Sequence, residues 1–124
     1  MPSGYWIARI TVTDPEPYAA YAQALPAVVE RFGGRFLVAG GRLEAVEGEA
    51  RPRNVVIAFD TYETARACWH SPAYAEVARL REGAATVDVV IVEGVERARV
   101  DGQQAPEGEQ VPRDDAPEPL SGSL

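Results

Sequence analysis

Asn54-Val-Val-Ile-Ala-Phe59 decides how this sequence folds. Val55, Ile57 and Phe59 fall on one side of a strand and Val56 and Ala58 on the other, so both sides are apolar. Such a strand belongs in a sheet covered on both faces. Downstream, Asp60-Thr61 opens a helix that breaks near His70, and Ser71-Pro72 is a second cap-plus-proline start leading into Tyr74, Val77, Ala78 and Arg81. Val87 to Glu93 is the next strand, and it repeats the pattern, with Val89 and Ile91 alternating with Val90 and Val92.

Upstream, Tyr5 to Thr13 reads as a strand with Trp6, Ala8, Ile10 and Val12 on its core side. Asp14-Pro15 supplies an N-cap acceptor and a proline at the first helical position. Tyr18, Tyr21, Ala22, Leu25, Val28, Val29 and Phe32 then form one apolar helical stripe, which Gly33 ends. Pro26 removes an internal hydrogen bond and is expected to kink or divide that helix. Arg35 to Ala39 is a further strand, with a bulge or turn at Gly40-Gly41, a short extension through Val46 and a turn at Gly48.

The order β, α, β, β, α, β predicts an α+β, ferredoxin-like domain over residues 4–96, with a four-stranded antiparallel sheet and helices on one face. The face without helices is apolar too and needs a cover. A second copy is the expected one, giving a homodimer packed sheet to sheet. Residues 97–124 carry six acids against three arginines, prolines at 106, 112, 117 and 119, and no aromatic side chain. They read as a disordered acidic tail.

Composition excludes several function classes. The net charge of -7 opposes phosphate backbones and anionic lipid, so nucleic acid is not an expected partner. No apolar run is long enough for a membrane span, and the first residues lack an export signal, so a cytoplasmic protein is expected. All 12 basic residues are arginines, which removes lysine Schiff-base chemistry and a Walker lysine. Cys68 and His70 are the single cysteine and histidine, so no internal disulfide, thiolate cluster, metal site or cofactor is expected. Cys68 reads as a small buried hydrophobe.

Gly4-Tyr-Trp-Ile-Ala-Arg9, Gly33-Gly-Arg-Phe-Leu-Val-Ala-Gly-Gly41, Arg53-Asn-Val-Val-Ile57 and Cys68-Trp-His-Ser-Pro-Ala-Tyr74, with Arg81 beyond, carry a resemblance. Over residues 4 to about 95 the chain resembles the domain-of-unknown-function family 1330, within the dimeric α/β-barrel superfamily. The resemblance implies the ferredoxin-like fold and a dimeric α/β barrel. It also implies a pocket between sheet and helices, in a superfamily that includes cofactor-free oxygenases, isomerases and haem-handling proteins. A shared fold does not transfer an activity.

The segment from Trp69 to Arg81 gathers an indole, an imidazole, a helix start, a phenol and a guanidinium. A helix N-terminus beside an arginine favours an anion or a developing negative charge. The candidate ligand-binding residues are Trp6, Asn54, Trp69, Tyr74 and Arg81, and His70 is the candidate acid/base. Each also has a structural role open to it. Trp6, Trp69 and Tyr74 suit the core, Ser71 and His70 suit helix ends, Asn54 suits a turn contact, and Arg81 suits an ion pair. Three functions follow. The first is binding of a small anionic or aromatic molecule between the sheet and the second helical region. The second is a cofactor-free oxygenase or isomerase acting on a small aromatic, quinone or carbonyl compound. The third is a non-catalytic interaction module.

Overall fold

Trp6 and Ile10 on the first strand and Val55, Ile57 and Phe59 on the third bury the same side of one sheet, and helices close over that side. The computed structural model describes residues 1–96. Its elements are β1 (Gly4–Val12), α1 (Pro15–Arg31), β2 (Arg35–Ala39), β3 (Arg53–Phe59), α2 (Tyr62–Trp69), α3 (Pro72–Ala78), a 3₁₀ turn (Arg79–Arg81) and β4 (Ala85–Glu93). The strands lie in the order β2-β3-β1-β4, and every neighbouring pair is antiparallel. This is the ferredoxin-like arrangement. The acidic tail expected over 97–124 lies outside the described residues.

Register fixes the two faces. Trp6 is paired with Ile57 on one side and Ile91 on the other, so these three share the helix-covered face. Ile7 pairs with Val56 and Val90 and faces the other way. Among the described residues that second face has no helix, and there Ile7, Val38, Val90 and Val92 stand in solvent, Val90 at 57% exposure. The core lies on the covered side, where Tyr18, Tyr21, Leu25, Val28 and Val29 of α1 meet the sheet together with Ala65, Cys68 and Tyr74.

Three local expectations are corrected. Pro26 does not divide α1, which runs unbroken for 17 residues. Pro26 itself is exposed, and the buried Leu25, Val28 and Val29 around it anchor both halves of the helix to the sheet. Asp14 occupies the N-cap, but its side chain accepts no hydrogen bond. Pro15 and Pro17 carry no N–H, so the third helical position has no donor to offer it. The bulge in β2 falls at Leu37, between the Phe36–Ile57 and Val38–Val56 pairs, and residues 40–52 add no strand. Gly40 and Gly41 take φ of 86° and 78°, which turn the chain out of the sheet. The segment returns over the helix-free face, where Arg9 Nη2 donates to the Glu49 carbonyl (3.4 Å) and Arg51 donates to Asp88 (2.9 Å) and Thr11 (3.0 Å).

Candidate functional site

The site forms where α1, α3 and the 3₁₀ turn meet the covered face of the sheet. Trp6 enters from β1 and spends its indole N–H on the Ala65 carbonyl of α2, 2.8 Å away. Its ring is boxed by Phe59, Trp69 and Tyr74, with centroids 5.3, 5.3 and 5.1 Å away. Gly4 lets β1 reach this position, because a Cβ there would lie 2.5 Å from the Thr61 carbonyl oxygen and from Tyr62 Cα.

The break between α2 and α3 aims Tyr74 inward. Ser71 donates its hydroxyl to the Cys68 carbonyl (2.7 Å) and accepts the Tyr74 N–H (3.1 Å), so one side chain joins the end of α2 to the start of α3. Tyr74 then meets Tyr21 of α1, hydroxyl to hydroxyl, at 2.9 Å. Arg81 donates from Nη2 to the Tyr74 hydroxyl (3.4 Å) and lays its guanidinium over the Tyr21 ring, 5.1 Å from the centroid. Its Nε is buried and has no hydrogen-bond partner. A similar pair lies nearby, where Arg53 donates from Nε to the Tyr18 hydroxyl at 3.2 Å and stacks on that ring.

These side chains border a cavity of about 30 Å³, walled by Trp6, Tyr18, Tyr21, Trp69, Tyr74 and Arg81 together with aliphatic residues of the sheet. The volume suits a water molecule or two. Burial, followed by the neighbouring Tyr74, drives the Tyr21 phenol far above its ordinary range, so it remains a hydrogen-bond donor. For Arg81, burial disfavours the charge, but the hydrogen bond and field of Tyr74, then the field of Tyr21, outweigh it and hold the guanidinium above its usual range. Burial also pushes the Cys68 thiol up to about 11. The site therefore offers donors in an apolar wall, which suits binding an oxygen-rich or anionic group.

Of the residues singled out in the sequence, Trp6, Trp69, Tyr74 and Arg81 converge on this cavity. His70 and Asn54 are set apart from it. His70 caps the end of α2, its backbone N–H bonds the Arg66 carbonyl (3.0 Å), and its exposed side chain borders Glu63 and Arg66 on the outer surface. Asn54 pairs with Arg9 on the helix-free face and donates from Nδ2 to the Arg51 carbonyl at 3.2 Å. Tyr18 and Tyr21 join them at the cavity from the apolar stripe of α1. Their signal is a phenol at both i and i+3 where Phe or Leu would fill a core, since a buried hydroxyl needs a partner. Among the described residues, no three His, Cys, Asp or Glu side chains gather as a metal site requires.

The sequence pattern of the family described as a domain of unknown function (DUF1330) matches residues 3–95. Solved structures supply the fold comparison. A protein of unknown function from Rhodopseudomonas palustris shares 18% identity, 77% of this chain and 85% of that one, at a TM-score of 0.59. A dimeric ferredoxin-like protein of unknown function from Thermobifida fusca shares 15% identity, 74% of this chain and 91% of that one, at 0.52. A cofactor-independent oxygenase from Streptomyces nogalater shares 16% identity, 79% of this chain and 98% of that one, at 0.51. At these identities the likeness is one of fold. No curated protein matches the chain. Among the described residues, no helix is long and apolar enough to cross a membrane.

Proposed function

This chain belongs to the DUF1330 family of domains of unknown function, and from that premise and the cavity we propose that it binds a small anionic or aromatic molecule between the sheet and the α2–α3 region. The observation that carries this is Arg81, whose Nε is buried at the cavity wall with no partner. A buried donor left unmade is costly, and a ligand oxygen would satisfy it. The test is to fill the space. Ala8 lines the cavity from β1, so Ala8→Val should abolish the thermal shift given by small aromatic and anionic compounds while leaving the melting temperature unchanged or higher. Ligand shifts that persist in a well-folded Ala8→Val protein would sink the proposal.

The working unit of this reading is a homodimer packed sheet to sheet in the cytoplasm. Ile7, Val38, Val90 and Val92 form an apolar face that no element of the described chain covers. The Thermobifida fusca neighbour is described as dimeric, which supports the same arrangement here. A monomer in light scattering at micromolar concentration, for the chain ending at Glu96, would contradict it. The overall charge of -7 keeps nucleic acid out of the reading.

The donor cluster also favours a second reading, a cofactor-free oxygenase or isomerase in which Arg81 and a phenol stabilise an oxyanion. Such an enzyme needs a base within hydrogen-bond reach of the substrate, and the cavity wall carries neither carboxylate nor imidazole. Tyr74→Phe is the discriminating variant: loss of turnover of a small aromatic compound whose binding persists would favour the enzyme.

A further inference from the structure

Two phenols and a guanidinium at the cavity wall hold more hydrogen-bond donors than they use. Arg81 Nη2 donates to the Tyr74 hydroxyl oxygen, and one phenolic hydrogen makes the 2.9 Å bond between Tyr21 and Tyr74. Two phenols carry two hydrogens, so one is left over whichever ring donates. The Arg81 Nε–H is a second spare donor, and it is buried. The ion pairs among the described residues join Met1 to Glu96 and Arg51 to Asp88, so no carboxylate answers the Arg81 charge. The remaining cavity wall is indole, phenol and aliphatic carbon.

A cation half-buried among aromatic rings is stable only with a counter-charge or a full set of hydrogen bonds. A neutral carbonyl would satisfy the donors and leave the charge unanswered, whereas an oxyanion meets both needs through short, charge-assisted bonds. Resting on the small-molecule reading above, we propose that the site selects the ionised form of a flat conjugated acid: an arenecarboxylate, phenolate or enolate. Its oxygen takes the Arg81 Nε–H and the spare phenolic hydrogen of the Tyr21–Tyr74 pair. At about 30 Å³ the cavity admits the oxygen head alone, so the ring enters by displacing the half-buried Trp69 away from Trp6. Specificity then resides in charge at one end and flatness at the other.

The test compares matched probes on the full chain: benzoate against benzamide, and 4-nitrophenol against 4-nitroanisole. Calorimetry should show each anion binding at least about tenfold more tightly than its neutral partner, the scale of a hydrogen bond to a charged group. 4-Nitrophenol, held slightly below its own ionisation point, should gain its phenolate absorbance band when protein is added, and tryptophan emission should change with it. Arg81→Gln and Arg81→Met should each remove the preference, and two variants keep the result readable if one of them melts early. Which of the two anions binds more tightly separates a carboxylate site from a phenolate site. Neutral probes binding as well as anions, or an anion preference that survives in both variants, overturns charge selection and leaves the binding site standing. No binding by any of the four probes at millimolar concentration overturns both.

Discussion

Alternate residues of the same strands have opposite fates on the two faces of this sheet. On β1, Trp6 and Ile10 lie under the helices and are buried, whereas Ile7 between them is exposed. On β4, Val89 lines the cavity while Val90 beside it is 57% exposed. All of these are apolar, so hydropathy did not make the difference. What differs is the presence of a surface shaped to receive them. α1 brings two tyrosines to the covered face and α2 and α3 bring Trp69 and Tyr74, and these large rings leave the cavity between them. The covered face thus holds the cavity, and the open face keeps its apolar side chains in solvent.

That contrast can be broken most severely at Phe59, which is 1% exposed and packs on Trp6. Phe59→Ala should cost about 3–5 kcal/mol in urea unfolding. A loss near that of an open-face substitution would show that the covered face is no real core. Next in size is the alkaline limb of the stability curve, since the covered face also hides groups that titrate. The folded state holds the Cys68 proton more tightly than the unfolded chain does, from a usual value of 9.0 up to about 11. Its contribution is therefore complete below pH 9 and is lost as pH climbs through about 11, with a total of about 3 kcal/mol. Tyr21 shifts in the same direction and extends the decline to higher pH. Cys68→Ala should flatten the first part of the fall, and an unchanged slope would refute this cause.

Tyr74→Phe comes third. It strips the hydroxyl that joins Tyr21 to Arg81 and should lower stability by about 1.5 kcal/mol, because the buried Tyr21 hydroxyl and the half-buried guanidinium both lose a bond. A stability gain instead would mean that the cluster is strained and not supportive. The smallest effect on the subunit belongs to the open face. Val90→Ser, measured dilute enough to leave single subunits, should change unfolding by less than about 0.5 kcal/mol. The same substitution should weaken self-association in sedimentation, and a destabilisation as large as that of Phe59→Ala would erase the contrast between the faces.

Most of the fold was legible because strand alternation and helical spacing follow directly from backbone geometry. Val55 and Val56 announced a strand apolar on both sides, and Asp60-Thr61 and Ser71-Pro72 marked two helix starts that the structure uses. Pro26 and the stretch after Gly41 misled for opposite reasons. Packing on both sides of Pro26 outweighs one lost hydrogen bond, and among the described residues no strand pairs with 42–46. Half of the site was legible as well, through the cluster of reactive groups from Trp69 to Arg81. The other half came from α1, some fifty residues earlier in sequence, where Tyr21 reads as ordinary core until tertiary contact shows its hydroxyl against Tyr74. His70 attracted notice as the single imidazole, but a helix end directs it outward, and chemical scarcity carries no information about direction.

The bulge at Leu37 makes the two outer strands unequal. Among the described residues β2 and β4 both end the sheet, and both leave a row of backbone groups unpaired on their outer side. Along β2 that row spans five residues and is thrown out of step at Leu37, so a foreign strand cannot stay in register with it. β4 runs nine residues, paired without interruption to β1, and its outer side is a continuous template. Strand-by-strand misassembly during folding or concentration is therefore directed to β4, where the charges of Asp88 and Glu93 are the local gatekeepers against it.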